Sequence, residues 1–275
     1  MATVHFKDKA FTQGMTSLTI TKQKRTALIT GASSGIGRAT ALLLAENGFN
    51  VILGARRKEA LEDVAKKAQT FGSDVLAATL DVRNKDNATE FVQNALDHFQ
   101  HIDVLINNAG LARGLTKVAD QQNEEEWQDM VDTNIMGLMR MTRLVLPSMI
   151  EQNYGHIVNL GSTAGHEAYA GSSVYCATKF GVQAITTALR QELLGHAIRV
   201  TSVDPGMVET EFSMVRFSGD KDRADSVYAG TTPLTANDIA DIILFAVTRK
   251  NHVNLDDIIV RPVDQASGGL VYRHS

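Results

Sequence analysis

Thr26-Ala27-Leu28-Ile29-Thr30-Gly31-Ala32-Ser33-Ser34-Gly35-Ile36-Gly37 decides the fold of this 275-residue chain. Five residues rich in β-branched and aliphatic side chains run into three glycines, and residues 35–47 then carry a helical pattern that stops at Gly48. Strand, glycine turn and helix in that order bring backbone N–H groups to a helix N-terminus. There the absence of a Cβ and the helix dipole both favour a phosphate. The spacing is Gly-x3-Gly-x-Gly, not the commoner Gly-x-Gly-x2-Gly, and it predicts a dinucleotide site built from Gly31, Ser33, Ser34, Gly35, Ile36 and Gly37.

Outward from this turn the same alternation repeats. Short apolar runs at 50–54, 75–80, 104–106, 156–160, 198–203 and 257–261 read as strands. Amphipathic stretches at 58–69, 85–99, 124–152, 173–194 and 237–249 read as helices. Strands apolar on both faces and separated by helices predict an α/β chain of the Rossmann type: a single-domain, doubly wound parallel sheet of about seven strands with helices on both faces. Right-handed crossovers then gather the strand C-termini along one edge, where ligands bind. Residues 1–24 read as an N-terminal arm, 25–275 as the domain, 206–232 as an insert with no firm strand pattern and 263–275 as a tail. A structureless segment of that length in a compact domain predicts a mobile lid.

Composition narrows the function classes. A net charge of −4 argues against nucleic-acid partners and against a polybasic membrane patch. No apolar run is long enough for a membrane span, and the first 24 residues have no continuous apolar segment of the secretory kind. The single cysteine, Cys176, excludes an intramolecular disulfide and fits the reducing cytoplasm.

Two further positions carry chemistry. The second strand runs into Gly54-Ala55-Arg56-Arg57, with two cations where a carboxylate would select the free ribose of NAD. An arginine–phosphate contact is worth about 1.5–3 kcal/mol, which predicts NADP over NAD by one to two orders of magnitude. Tyr175 and Lys179 are four residues apart on a predicted helix, and Ser162 lies thirteen residues before Tyr175. That spacing stacks phenol over ammonium on one face, an arrangement expected to lower the phenol pKa and suited to moving a proton at a carbonyl or alcohol oxygen. Taken alone, Tyr-x3-Lys is also the spacing of a tyrosine packed on a lysine stem.

The set Thr30-Gly31-x3-Gly35-Ile36-Gly37, Asn107-Asn108-Ala109-Gly110, Asn134, Ser162, Tyr175-x3-Lys179 and Pro205-Gly206 resembles the short-chain dehydrogenase/reductases over residues 25–262. The resemblance implies metal-free hydride transfer between a nicotinamide and a carbonyl carbon. It makes Tyr175 the proton donor, Lys179 the group that lowers its pKa and binds the nicotinamide ribose, Ser162 the polarising donor and Asn134 the holder of a relay water. It also assigns Asp81 and Val82 to the adenine, Asn108, Ala109 and Gly110 to the cofactor wall, and Thr210, in Pro205-Gly206-Met207-Val208-Glu209-Thr210, to the nicotinamide carboxamide.

The runs around Tyr175-Cys176-Ala177-Thr178-Lys179-Phe180, Glu209-Thr210-Glu211-Phe212-Ser213, Val215-Arg216-Phe217 and Pro262-Val263-Asp264-Gln265 are similar to the NADP-dependent serine/3-hydroxy-acid dehydrogenases. That branch implies a homotetramer acting on small 3-hydroxy acids. A small anionic substrate calls for a cation above Tyr175. Arg216 is the first candidate, with Glu209 and His166 also expected near the site. The resemblance leaves open a reductase of other small carbonyls, such as a sulfonated aldehyde or a 3-oxoacyl compound, or a non-catalytic NADP-binding protein.

Overall fold

The computed structural model describes residues 24–120 and 123–274. The expected N-terminal arm lies outside these residues, Lys24 excepted. Seven strands, β1 (Thr26–Thr30), β2 (Asn50–Ala55), β3 (Val75–Thr79), β4 (Val104–Asn107), β5 (Gly155–Leu160), β6 (Ile198–Pro205) and β9 (Asp257–Val260), form one sheet in the order β3-β2-β1-β4-β5-β6-β9. Every pairing in it is parallel. The direction of strand succession reverses between β1 and β4, so a crevice opens beyond their C-terminal ends.

Alternation along the strands divides the core in two. Ala27 and Ile29 of β1, Val51 and Leu53 of β2, and Val104 and Ile106 of β4 face one side. There they meet Leu44 of α1 (Gly35–Glu46), Leu61 and Val64 of α2 (Lys58–Gln69), and Ile239 and Ile243 of α9 (Ala236–Val247). Leu28, Ile52, Leu105 and Ile157 face the other side, against Phe91 and Val92 of α3 (Lys85–Phe99), Met141 and Val145 of α5 (Leu138–Glu151), and Leu193 after α6 (Ser173–Glu192). Each fully buried Leu or Ile contributes about 1.5–3 kcal/mol of transfer free energy. A period of two along the strands and 3.6 along the helices is therefore what holds the sheet between its two helical layers.

Two segments depart from expectation. The helix expected over 124–152 is interrupted: α4 (Glu125–Val131) passes into a π-helical turn, Asp132–Gly137, before α5 begins. Tertiary contacts account for the wide turn. A Cβ on Gly137 would lie 2.5 Å from Val82 Cγ2. Asn134 is tied to the chain after β4, accepting from the Leu111 N–H at 2.9 Å and donating to the Leu111 carbonyl at 2.9 Å. The 206–232 insert is not structureless either. It holds β7 (Val208–Glu209), paired with β8 (Leu234–Thr235), and two short helices, α7 (Phe212–Arg216) and α8 (Lys221–Ser226). Short helices of this kind draw their stability from what they pack on, so periodicity over five or six residues carries little signal.

Candidate active site

The glycine turn after β1 is shaped by contacts that only glycine permits. Gly31 and Gly35 have φ of +68° and +53°. A Cβ on Gly37 would stand 2.4 Å from Asn108 Nδ2 and 2.5 Å from the Gly31 carbonyl. Asn108 braces the turn, its Nδ2 donating to the Thr30 carbonyl at 2.8 Å, while the Thr30 hydroxyl accepts from the N–H groups of Asn108 (3.0 Å) and Ala109 (2.9 Å). Below this, Asn107 Nδ2 donates to Asn159 Oδ1 across β4 and β5 at 2.9 Å, a buried link that fixes the floor.

The crevice is a single cleft of about 860 Å³, in the range of cofactor sites. Gly31, Ser33, Ser34, Gly35, Ile36, Arg56, Arg57, Asp81, Val82, Asn108, Ala109 and Gly110 line it, together with Ser162, Tyr175, Lys179, Pro205, Gly206, Val208, Thr210 and Arg216. Gly37, Asn134, His166 and Glu209 do not line it. Gly37 supports the turn from behind, and Asn134 is buried with its amide committed to Leu111 and to Thr178 Oγ1 at 3.1 Å. His166 turns away from the cleft to Asp204, at 3.1 Å. Glu209 is exposed on β7. Of the three candidates for substrate contact, the fold brings only Arg216 to Tyr175.

The two arginines after β2 differ. Arg57 Nη1 is 2.8 Å from Glu211 Oε2 and its Nε is 3.3 Å from Ser33 Oγ, whereas Arg56 lines the cleft and makes no ion pair among the described residues. Asp81 is gripped by Arg83, whose Nη2 is 2.8 Å from Asp81 Oδ2; that hydrogen bond is the main reason the carboxyl is held below its ordinary range.

Tyr175 and Lys179 are both buried. Lys179 Nζ donates to the Leu160 carbonyl at 2.7 Å. Ser162 Oγ accepts from the Ala164 N–H at 3.1 Å and reaches the Pro205 carbonyl at 3.4 Å. Burial pushes the Tyr175 phenol up to about 12, and Tyr169 acts in the same direction; a hydrogen bond from Ser162 and the charge of Arg216 oppose them. The lowering expected from Lys179 is therefore not what the geometry produces. Burial prevails at both groups and takes Lys179 itself down to about 8, against the opposing charge of Asp204. A spacing of four residues reports that two groups are adjacent, not how much water they have lost.

Tyr169 and Arg273 line the cleft with no sequence signal of their own; Phe212 and Gln265, from the runs that carry the resemblance, line it as well. Gln265 Oε1 accepts from the Met207 N–H at 2.8 Å, and a Cβ on Gly206 would stand 2.1 Å from it. Arg83 had a local clue in its place two residues after Asp81.

A doubly wound parallel sheet, a glycine cradle at its switch point and a buried tyrosine–lysine pair lining the same cleft define a dinucleotide-dependent oxidoreductase. The short chain dehydrogenase profile matches residues 25–221. The chain belongs to the short-chain dehydrogenase family. It is 47% identical to an NADP-dependent 3-hydroxy acid dehydrogenase of Schizosaccharomyces pombe over 251 residues, 90% of this chain and 96% of that one. It is 44% identical to a serine 3-dehydrogenase of Agrobacterium fabrum over 252 residues, 91% and 99% of the two chains. Among solved structures, the closed form of a serine dehydrogenase complexed with NADP+ superimposes with a TM-score of 0.85 at 40% identity, covering 91% of this chain and all of that one (100%).

Proposed function

We propose that this chain is an NADP-dependent oxidoreductase that interconverts small 3-hydroxy acids, serine and 3-hydroxyisobutyrate-like compounds among them, with the corresponding semialdehydes or 3-oxo acids. The observation that carries the reading is the guanidinium of Arg216, 5.4 Å from the centre of the Tyr175 ring, inside the cleft that the glycine turn opens. It puts a carboxylate-binding cation beside the acid/base. The names of the relatives agree with it.

The residues present fit the cofactor. The turn from Gly31 to Ile36 would offer N–H groups to a pyrophosphate, with no Cβ at Gly31 and Gly35; Arg56 and Arg57 would offer charge to a 2′-phosphate, and Asp81 and Val82 would face the adenine. Asn108, Ala109 and Gly110 would form the wall, and Pro205, Gly206, Val208 and Thr210 would hold the nicotinamide; all of them line the cleft. When bound, the nicotinamide supplies or accepts the hydride.

The chain's own groups manage the substrate and the proton. Tyr175 holds a proton through neutral pH and gives it to the carbonyl oxygen in reduction, taking it back in oxidation. Ser162 donates to that oxygen as negative charge develops. Lys179 would bind the nicotinamide ribose, and its ammonium would favour the phenolate after proton transfer. Asn134 holds the Leu111 backbone from within the π-helical turn, beside Gly110, which also borders Lys179 Nζ. The insert closes the cleft over the substrate.

Apolar side chains are exposed around α5 and α6 (Met136, Met139, Phe180) and around α9 and β9 (Phe245, Ile259, Val263). They support a homotetramer built on two faces, to be checked by light scattering, where a monomer at micromolar concentration would refute it. Among the described residues no helix is long and apolar enough to cross a membrane. The free thiol of Cys176 agrees with the cytoplasm as the working compartment.

The deciding assay follows NADP reduction with serine, 3-hydroxyisobutyrate, 3-hydroxypropionate and neutral alcohols of matched size. Turnover of the hydroxy acids with at least a tenfold preference is expected. Equal rates on the neutral alcohols would refute the substrate class.

A further inference from the structure

Tyr175, Lys179 and Ser162 leave one fully buried carboxylate without a role. Asp204, the penultimate residue of strand β6, has no exposed surface. Its Oδ1 accepts the Ser202 hydroxyl at 2.8 Å, and its Oδ2 lies 3.1 Å from His166 Nε2. Gln183, one turn beyond Lys179 on the same face of α6, donates to Ser202 Oγ at 3.1 Å and so closes the network. A buried carboxylate costs several kcal/mol unless it is paired, and this one is kept.

Its place ties it to the catalytic turn. A Cβ on Gly161 would stand 1.7 Å from Asp204 Oδ1, so glycine is required for the carboxylate to lie against that backbone. Gly161 joins Leu160, whose carbonyl holds Lys179 Nζ, to Ser162. The residue after Asp204, Pro205, presents its carbonyl to Ser162 Oγ. We propose that Asp204 is a positioning residue for the acid/base pair: its buried carboxylate, packed on Gly161, seats the 160–162 turn that holds Lys179 Nζ and Ser162 Oγ, with His166 as its partner on the solvent side.

The charged and titratable groups facing the pair are Asp204 from β6, His166 and Tyr169 from the segment before α6, Arg216 from α7 and Cys176 within α6. Burial favours neutral Lys179 and Asp204 favours the ammonium. Loss of the Asp204 charge therefore lets Lys179 lose its proton at lower pH.

The inference rests on the reading that Lys179 acts on Tyr175, and the two fail differently. The test is kcat/KM for carbonyl reduction against pH in the holoenzyme. Asp204→Asn should move the alkaline limb about one pH unit lower, a tenfold loss of activity where the wild type is still active. NADPH affinity should stay within a few-fold. His166→Gln keeps the carboxylate and should leave the limb in place. Should the amide not fold, Asp204→Ala, smaller against Gly161, gives the same shift. A limb that coincides with wild type in a folded Asp204 variant overturns the proposal. So does failure of both variants to fold beside a folded, unshifted His166→Gln, since Asp204 would then be purely structural. Full activity in Lys179→Ala would overturn the acid/base reading itself, an outcome the Asp204 variants cannot give.

Discussion

The Arg216 guanidinium lies 5.4 Å from the centroid of the Tyr175 ring, anchored by Nη2 to Tyr169 Oη at 3.3 Å and to Ser172 Oγ at 3.1 Å. Its Nε is buried and has no hydrogen-bond partner among the described residues. A buried donor of this kind is worth satisfying, and a carboxylate does so with charge assistance. Arg216→Ala should raise KM for 3-hydroxy acids by about 10- to 100-fold while changing KM for neutral alcohols less than threefold. Steady-state kinetics on both substrate classes checks it; parallel increases would mean the arginine only supports the loop.

Tyr175→Phe removes the proposed proton donor and keeps the ring that packs near Phe212 (centroids 6.1 Å apart). The expected loss in kcat is about 10²- to 10⁴-fold in both directions. NADPH affinity, followed by fluorescence titration, should be nearly unchanged. A variant retaining a tenth of wild-type turnover would move the proton donor elsewhere.

Arg56 lines the cleft without an ion-pair partner among the described residues, while Arg57 is held by Glu211. Arg56→Asp puts a negative charge where the 2′-phosphate is expected and should cut the NADP-to-NAD ratio of catalytic efficiencies by about 10- to 100-fold. An unchanged ratio would show that the arginine does not touch the phosphate.

Acid sensitivity has a definite source in His156. It is buried, with Nε2 2.8 Å from Thr201 Oγ1, and burial carries its pKa well below the ordinary 6.5, with the charges of Arg199 and Arg25 adding to that. The folded form resists a proton that the unfolded form takes up. The stability is thus present above pH 6.5 and is lost as pH falls, by about 1.4 kcal/mol per unit until the folded-state pKa is reached. Urea midpoints between pH 7 and 5 should fall in the wild type, and the slope should flatten in a folded His156→Gln variant.

Legibility from sequence followed the range of the forces involved. Leu28 and Ile29 point to opposite layers because a strand alternates, and Gly31 and Gly35 are glycines because φ is positive; both are local facts. The π-helical turn at Asp132–Gly137 is not local: it depends on Val82 against Gly137 and on Leu111 against Asn134. His166 and Ser162 are four residues apart, yet one faces Asp204 and the other lines the cleft.

By itself, then, the sequence determined the parallel sheet, the glycine cradle, the paired arginines after β2 and the tyrosine–lysine couple, since each follows from periodicity or fixed spacing. Tertiary structure alone decided that Arg216 reaches Tyr175 while Glu209 does not, that Asp204 lies buried behind Gly161, and that the phenol is raised and not lowered. Proximity along a helix is written in residue order. The loss of water at a site is set by segments far apart in the chain, and it is that loss which governs the charges of Tyr175 and Lys179.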